Sequence, residues 1–578
     1  MGRLFIRESW WIMKITPAAK PSLSCHANRT WLISLVRASS EQIIIRCRGE
    51  LVFMQTFLII VDSWRKDHCG CYGNPWIETP HLDTLARDSV IFDFAYPESL
   101  PTLPVRRVLH TGKRTFPFKH NVKEGYKGDP VKANGWGPIP AYHTTLAEYF
   151  HMFNVCAFIT DTYHQFKPSM NFHRGYHYWE WVRGQEVDPW GTADPLDKCK
   201  PESLGKMMLK SRWVGPPDPV PDWSQMKRYQ MNMAFQQQTE ADYLAARLFK
   251  TAADWVMKNA HHGHKIFCCV DSFSPHEPFD APITYRNHFL EKEKLEKRTP
   301  EVISREENLK KDWPGIPLQQ FTHHHLPSMK WARRFPPGAE ISNREIIWPA
   351  YDYTHVYSEQ ELRYLRASYA SLVEFTDRWL GYFINALKHA NLYDDAAIVV
   401  ISDHGHQLGE HGCIGKMANK QFPNLNDLIL LVKLPNQQHA GTRDQRLVSN
   451  AEIFPTIMEF KGYRIPENVD GFPLFVQEGD FGPWKPTIPR QRNVITCGFT
   501  HQVMAFDKRW YYMTTTEREY EMLWDVHATP AMDDTGECSS EHPEILDDMW
   551  EEICKVMAGE SVNVDEESSQ KWYDMNNL

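Results

Sequence analysis

The chain of 578 residues lacks several features that would point to a membrane, nucleic-acid or disulfide-stapled protein. No apolar run approaches the roughly 18 residues of a membrane-spanning helix, so we expect no membrane span. No long basic block occurs and the net charge is −9, which argues against nucleic acid as a partner. Twelve cysteines are few for this length and show no zinc-ligand spacing. They predict reduced thiols in a cytoplasmic protein.

The first 53 residues also lack a recognisable pattern. No apolar stretch lies between a basic start and a small-residue cleavage site, as a signal peptide would require. Met54 directly precedes the apolar run TFLIIVD. We therefore expect either that Met54 is the natural start or that residues 1–53 are a poorly ordered extension.

Two apolar runs end in residues that bind metals. TFLIIVD ends at Asp62, and AAIVVISDH ends at Asp403 and His404. Short runs rich in Ile and Val are typical of strands buried on both faces of a parallel sheet. Ligands in such sheets lie beyond the carboxyl ends of the strands, so these side chains should converge there. Oxygen ligands with one imidazole suit Ca²⁺, Mn²⁺ or Zn²⁺.

The segment TLPVRRVLHTG, residues 102–112, offers a hydroxyl to an anion. Thr102, Pro104 and Arg106 lie at the start of a predicted helix, where free N–H groups and the helix dipole favour negative charge. The planar guanidinium of Arg106 matches the oxygens of a phosphate or sulfate. In isolation Thr102 is explained more simply as a helix N-cap, but its position between the metal motifs favours a nucleophile.

Strands alternate with helices along most of the chain, which predicts an α/β fold with a mainly parallel sheet sandwiched by helices. We expect a catalytic domain over residues 54–488, with loop insertions at about 170–235 and 285–360. Short strands and a charged helix predict a C-terminal subdomain at 489–560, containing a small antiparallel sheet. Residues 561–578 should form an acidic tail.

Six segments resemble, in the same order, the motifs of the sulfatase family within the alkaline phosphatase superfamily. They are VDSWRKDHCGCYGN from Val61, TPHLDTLARDSVIFDFAY from Thr79, TLPVRRVLHTGK from Thr102, SPHEPF from Ser274, ISDHGHQLGEHGCIGK from Ile401, and NAEIFPTIMEFKGYRIPENVDG from Asn450. EMLWDVHATPAMDD from Glu521 resembles a C-terminal segment of the family, so the resemblance covers about residues 54–550. It implies the alkaline-phosphatase/sulfatase fold and an ester hydrolase.

The resemblance also implies roles for particular residues. Thr102 would be the nucleophile and a metal ligand, completing the set formed by Asp62, Asp403 and His404. Arg106 would orient Thr102 and hold a non-bridging oxygen of the substrate. Lys113 and Lys416 resemble the family's oxyanion-binding residues. His276 resembles the family's general acid.

Two departures from the family pattern qualify this resemblance. Sulfatases carry Cys or Ser where this chain has Thr102, and that residue is oxidised to formylglycine. Threonine is a secondary alcohol and cannot give that aldehyde, so we expect no formylglycine. Ser63 follows Asp62 where many sulfatases have a second carboxylate. We therefore expect one divalent ion, with Mn²⁺ ahead of Ca²⁺ and Zn²⁺ as a further alternative.

The sequence thus predicts a metal-dependent hydrolase that acts on a small-molecule phosphate diester, phosphonate or sulfate ester through a covalent threonine intermediate. Two alternatives stay open at this point. One is a true sulfuric ester hydrolase, similar to arylsulfatases, that works without formylglycine. The other is a non-catalytic, sulfatase-like binding protein. The sequence predicts neither the natural leaving group nor the oligomeric state.

Overall fold

The structure of the protein is a computed structural model. It describes residues 54–118, 135–166, 169–186, 240–260, 263–294, 359–478, 482–487 and 492–558. It also describes residues 188, 190, 229, 232 and 352–353, and three short leader strands, Ile6–Arg7, Trp10–Ile12 and Ile44–Ile45. The leader strands pair in one antiparallel sheet. The predicted acidic tail and most of the two predicted insertions lie outside the described residues.

The strands beyond the leader, in chain order, are β1 (Thr56–Val61), β2 (Val90–Tyr96), β3 (Ser99–Leu100), β4 (Val155–Thr160), β5 (Tyr178–Trp181), β6 (Ile266–Ser272), β7 (Asp352–Tyr353), β8 (Ala397–Ser402), β9 (Gln407–Leu408), β10 (Cys413–Gly415), β11 (Leu430–Lys433), β12 (Arg443–Ser449), β13 (Phe475–Gln477), β14 (Trp484–Pro486), β15 (Ile495–Phe499), β16 (Gln502–Phe506), β17 (Trp510–Thr515) and β18 (Glu521–Asp525). The α-helices are α1 (Pro80–Arg87), α2 (Thr102–Thr111), α3 (Leu146–Phe150), α4 (Leu244–Asn259), α5 (Ile283–Lys292), α6 (Glu359–His389), α7 (Pro423–Asn426), α8 (Ile453–Phe460) and α9 (Pro543–Ala558). Within the described ranges, none of these helices is both long enough and apolar enough to span a membrane.

An eight-stranded sheet forms the centre of the fold, in the order β12–β2–β11–β8–β1–β6–β4–β5. Strand β11 runs antiparallel to both of its neighbours, and the other strands pair in parallel. Alternate residues of β1 enter two separate cores, because successive side chains of a strand point to opposite faces. Phe57 packs in the core that contains α4 and α6, and Leu58 packs in the core that contains α2 and α8. The predicted parallel sheet between helical layers is confirmed.

Helix α2 begins at Thr102, as the sequence predicts, and is buried over its whole length. It ends at Gly112, whose φ of 65° lies in the left-handed region. A Cβ atom at this position would lie 2.7 Å from a ring carbon of Phe454. Glycine therefore stops the helix and lets α8 pack closely against its end.

The small C-terminal sheet is confirmed, with one unexpected strand. Strands β15, β16, β17 and β18 are antiparallel, and α9 packs against them. Strand β3, far earlier in the chain, pairs in parallel with β15 and completes this sheet. The C-terminal sheet is therefore joined directly to the segment that precedes Thr102.

One prediction about the insertions was wrong. The sequence predicts loops over residues 170–235, yet β5 lies in this segment and forms the edge of the central sheet. Four residues rich in Trp and Tyr are too few to show a strand periodicity, but β4 provides the parallel partner that fixes them as a strand.

A buried histidine in α2 should make the fold sensitive to acid. The His110 ring lies edge-on to Phe158, Phe172 and Tyr176, and burial lowers its pKa to about 3. Between about pH 6.5 and pH 3 the unfolded chain binds a proton that the folded chain does not, so stability is lost as the pH falls. The loss is about 1.4 kcal/mol for each pH unit below 6.5.

We expect His110→Leu to lose less thermal stability than the wild type between pH 7.5 and pH 5.5. The measurement is the midpoint of thermal unfolding at both pH values. His151→Leu, at an exposed position, is the matched control and should behave like the wild type. An equal fall in the midpoint for His110→Leu and the wild type would contradict the assignment.

Candidate active site

Four neighbouring strands of the central sheet carry an aspartate at the same edge. In sheet order, β8, β1, β6 and β4 lead to Asp403, Asp62, Asp271 and Asp161. All four side chains are buried. Adjacent parallel strands lie about 4.8 Å apart, so the sheet brings these carboxyl groups into one row. Only Asp62 and Asp403 were predicted from the sequence, although IFCCVD and CAFITD have the same apolar run ending in aspartate.

Three of these aspartates face α2, and the fourth does not. Asp62, Asp271 and Asp403 all contact Arg106 of α2. Asp161 instead accepts a hydrogen bond from the backbone N–H of Phe273, at 2.7 Å. Burial raises the pKa of Asp161 to about 7. The site facing α2 therefore contains three carboxylates.

Asp62, Asp403 and His404 form a compact group of potential metal ligands. One ligand atom from each residue lies within 4.8 Å of the others. The buried Oδ2 atom of Asp62 accepts no hydrogen bond of good geometry, and forms an ion pair with Arg106 Nη1 at 3.1 Å. Burial, together with the neighbouring charge of Asp403, raises the pKa of Asp62. Two carboxylates this close in a dry setting favour a bound cation, and the donor set fits a divalent ion.

The imidazole of His404 is held in the form that can bind a metal. Its Nδ1 atom donates to the carbonyl oxygen of Gly405 at 2.8 Å, which leaves the Nε2 lone pair available. Burial lowers the pKa of His404 to about 4, so the ring is neutral at neutral pH. Ser63 fixes the carboxylates, because its hydroxyl donates to Asp62 Oδ1 at 2.8 Å and its N–H donates to Asp403 Oδ1 at 2.9 Å.

The structure brings Thr102 to this group. Its Oγ1 atom lies 3.5 Å from His404 Nε2, and the residue is only 2% exposed. As the first residue of α2, Thr102 also lies where the helix N–H groups favour an anion. The predicted combination of a hydroxyl with two carboxylates and an imidazole is therefore present in the fold.

Arg106 differs from the sequence-based expectation. Its Nε and Nη2 atoms donate to the two oxygens of Asp271, at 2.9 and 2.8 Å. Its Nη1 atom lies 2.5 Å from Asp403 Oδ2 and 3.1 Å from Asp62 Oδ2. The guanidinium fork predicted to hold substrate oxygens is thus bound to Asp271, and Nη1 is the nitrogen that contacts Asp62 and Asp403.

Lys416 and His276 form a pair. Lys416 Nζ donates to His276 Nε2 at 2.5 Å, and His276 Nδ1 donates to the carbonyl oxygen of Glu277 at 2.6 Å. Burial, with the nearby charge of Lys416, lowers the pKa of His276 well below its usual range. The imidazole is therefore neutral in this arrangement.

Two buried glutamates around His276 were missed by the sequence analysis. His276 Nδ1 lies 3.3 Å from Glu277 Oε2 and 3.7 Å from Glu186 Oε1. The same two carboxylates approach His406 and His164, each at 3.5 Å. Glu277 directly follows His276 in the sequence, but no local pattern indicates Glu186, which reaches the site from a segment beyond β5.

The structure does not bring Lys113 to the other predicted residues. It follows α2 at the end opposite to Thr102, and ten helical residues rise about 15 Å. The side chain of Lys113 lies within electrostatic reach of Asp470 instead. The expectation that it binds the substrate is corrected by the length of the helix that separates it from Thr102.

A mainly parallel sheet between helices, with this Asp–Asp–His group at its carboxyl edge, is the arrangement of the alkaline phosphatase superfamily. Within that class, the family model described as Sulfatase matches residues 55–463. The chain therefore belongs to the sulfatase family, and it is a hydrolase of ester bonds.

Relatives and solved structures agree with this assignment. The chain is 25% identical over 455 residues to the multifunctional alkaline phosphatase superfamily protein PehA of Trinickia caryophylli, covering 74% of this chain and 78% of that protein. It is 23% identical over 445 residues to iduronate 2-sulfatase of Mus musculus, covering 72% and 69%. The phosphonate monoester hydrolase of Agrobacterium radiobacter has a similar fold, with a TM-score of 0.56 at 18% identity, covering 87% of this chain and 96% of that one.

Proposed function

We propose that this protein hydrolyses a phosphate diester or a phosphonate ester, with Thr102 as the nucleophile. The observation that carries the proposal is the Thr102 hydroxyl, 3.5 Å from His404 Nε2 and next to two buried carboxylates. Because threonine cannot form the aldehyde of formylglycine, its oxygen would attack the substrate directly. The product of this step is a threonine ester, which water then cleaves.

The proposed ligands of a divalent ion are Asp62, Asp403, His404 and Thr102. Such an ion, when bound, lowers the pKa of a coordinated hydroxyl and neutralises charge on phosphoryl oxygens. The protein itself contributes the N-terminus of α2, Arg106 Nη1 and Lys416 as positive groups around a tetrahedral oxyanion. We propose Mn²⁺ as the first ion to test, with Ca²⁺ and Zn²⁺ as alternatives.

The proposed proton donor to the leaving oxygen is the Lys416–His276 pair. Since Lys416 donates to His276 Nε2, a proton that leaves the pair comes from the Lys416 ammonium, either directly or through the imidazole. His276 would thus be the general acid only after it takes that proton. The carboxylates of Glu277 and Glu186 near the ring would stabilise the protonated state.

The preference for a phosphorus centre follows from how a threonine ester is released. A sulfated formylglycine hydrate can collapse to an aldehyde and expel sulfate, whereas a sulfated threonine needs water to attack sulfur. A phosphorylated threonine is a more plausible turnover intermediate. The similarity to PehA, a protein described as multifunctional, supports testing more than one kind of ester as the substrate.

Hydrolysis of a sulfate ester is the second candidate function. It is favoured by the sulfatase family match and by the similarity to iduronate 2-sulfatase. This chemistry would have to proceed without formylglycine. A non-catalytic binding protein, the third alternative, is disfavoured by the complete Asp–Asp–His–Thr set.

The test is a substrate panel with one leaving group. The protein, loaded with Mn²⁺, Ca²⁺ or Zn²⁺ in turn, is assayed with the 4-nitrophenyl sulfate, phosphate monoester, phosphate diester and phosphonate. We expect the largest kcat/KM for the diester or the phosphonate. A larger value for the sulfate would reverse the order of the candidates, and no turnover with any ion would overturn the proposal.

We also propose a cytoplasmic location. Nine cysteines of the described residues are unpaired, and burial raises the pKa of the thiols of Cys268 and Cys269. Reduced, unreactive thiols suit a reducing compartment. Cell fractionation followed by immunodetection checks this location.

A further inference from the structure

Asp271 has no role in the sequence-based site, yet it makes the most extensive contact with Arg106. Two parallel hydrogen bonds of 2.9 and 2.8 Å join its carboxylate to Nε and Nη2. This bidentate geometry is the strongest that a guanidinium and a carboxylate can form. Both side chains are fully buried, so solvent does not weaken the pair.

Asp271 is itself held in place by the segment that follows the neighbouring strand β4. Gln165 Nε2 donates to Asp271 Oδ2 at 2.7 Å, and the Thr162 hydroxyl lies 3.4 Å from Oδ1. The residue belongs to β6, which is paired on one side with β1 and on the other with β4. Asp271 is therefore a fixed acceptor, and it determines where the guanidinium lies.

The position of Arg106 matters because its remaining nitrogen is close to the metal-ligand carboxylates. Nη1 lies 2.5 Å from Asp403 Oδ2 and 3.1 Å from Asp62 Oδ2. If Asp271 lost its charge, two N–H groups of a buried cation would lose their strongest partner. A buried guanidinium moves towards the nearest anions, and here these are Asp62 and Asp403. The freed Nε and Nη2 atoms would then add to the contact that Nη1 already makes, and would compete with a divalent ion for these oxygens.

We propose that Asp271 is a positioning residue that restricts the contact of Arg106 with Asp62 and Asp403 to a single nitrogen, Nη1. By binding Nε and Nη2, Asp271 keeps these two nitrogens away from the two carboxylates, so that the carboxylates can also bind the divalent ion. The proposal rests on the proposed function for the metal site and for the substrate class. The proposal adds Asp271 to that site and explains why its carboxylate binds Arg106.

A purely structural role would be different in a measurable way. If Asp271 only neutralised a buried arginine, its loss would lower stability and leave metal affinity unchanged. If it positions Arg106, its loss weakens metal binding, and removing Arg106 as well restores the binding. The sign of the second change separates the two roles.

The experiment is a calorimetric titration of Mn²⁺ into the full chain after chelation and dialysis. We expect Asp271→Asn to weaken Mn²⁺ binding by about tenfold or more, as is typical for partners of metal-site residues. We expect the Kd of the double variant Arg106→Met/Asp271→Asn for Mn²⁺ to lie within about threefold of the wild-type Kd. Asp161→Asn, the matched control, alters a buried aspartate of the same row that does not contact Arg106, and should bind Mn²⁺ like the wild type.

A further variant keeps the test decisive if Asp271→Asn does not fold. Gln165→Leu removes a hydrogen bond to Asp271 without leaving a charge unpaired, and should weaken Mn²⁺ binding to a smaller extent. Unchanged affinity in Asp271→Asn or Gln165→Leu would overturn the proposal, as would a double variant that stays as weak as the single one. Absence of Mn²⁺ binding by the wild type would overturn it together with the metal site.

The titration does not depend on turnover. If the substrate panel shows no hydrolysis but Mn²⁺ binds and the variants behave as expected, the proposed function fails and the role of Asp271 stands. If hydrolysis occurs but Asp271→Asn binds Mn²⁺ normally, the function stands and the role of Asp271 fails. The two proposals can therefore fail separately.

Discussion

Thr102→Ala should abolish turnover, with a fall in kcat/KM of about 10³-fold or more. The variant removes the only oxygen of the side chain that lies beside His404 Nε2. The nearby Ser63 hydroxyl already donates to Asp62, so it is a poor replacement for the Thr102 hydroxyl. The measurement is kcat/KM for the best substrate of the panel, with the variant loaded with metal under the same conditions.

Thr102→Ser is the matched control for this prediction. It retains the hydroxyl and loses only the methyl group, so it should keep measurable turnover. Because sulfatases oxidise Ser or Cys at this position, the mass of the serine variant must first show that residue 102 is still serine. Retention of more than a tenth of wild-type activity by Thr102→Ala would refute the assignment of the nucleophile.

Removal of divalent metal should have an effect of similar size. Asp62 and Asp403 are buried together, and their charges repel in a setting that excludes water. We expect the chelated protein to lose kcat/KM by about 10³-fold or more, because the hydroxyl of Thr102 then has no activating ion. Addition of Mn²⁺ should restore turnover and raise the midpoint of thermal unfolding.

Asp403→Ala should lose turnover in the same way, and added Mn²⁺ should not restore it. Its carboxylate accepts hydrogen bonds from the N–H groups of Ser63 and His404, so a check of folding by circular dichroism accompanies the assay. Asp161→Asn serves as the control, since it alters the aspartate of the row that forms no ion pair with Arg106 and binds the N–H of Phe273 instead. Full activity of the protein after exhaustive chelation would contradict the proposed metal dependence.

The sequence predicts the part of the site that is encoded in continuous segments. Asp62, Asp403 and His404 end apolar runs, and Thr102 begins a helix that glycine stops, so each residue carries a local signal of its place. Since parallel strands end at one edge of a sheet, their convergence follows from the fold class alone. The structure brings these four residues together as predicted.

The features that the sequence does not predict depend on contacts between segments that are far apart in the chain. Asp271 and Arg106 are separated by 165 positions, and their pairing is fixed by the order and register of β1, β6 and β4. No local pattern encodes that register. The same reason explains β3, whose two residues become a strand only because β15 pairs with them.

The wrong prediction that Lys113 lies in the site has a different cause, which is its closeness to Thr102 in the sequence. The residue is close to Thr102 along the chain, and the motif suggested that it was also close in space. A helix converts ten residues of sequence into about 15 Å of distance, so its two ends reach different surroundings. Within a helix, proximity in sequence therefore predicts a shared site only for residues about one turn apart, such as Thr102 and Arg106.

The pairing of β3 with β15 sets the order in which this site can be completed during synthesis. Ser99, three residues before Thr102, pairs with Gly498, which leaves the ribosome only after nearly all of the catalytic domain has been made. Until then the segment leading into α2 has one side without its strand partner. A nascent chain can thus form most of the parallel sheet early, whereas the strand that leads into α2 gains its partner only when β15 emerges.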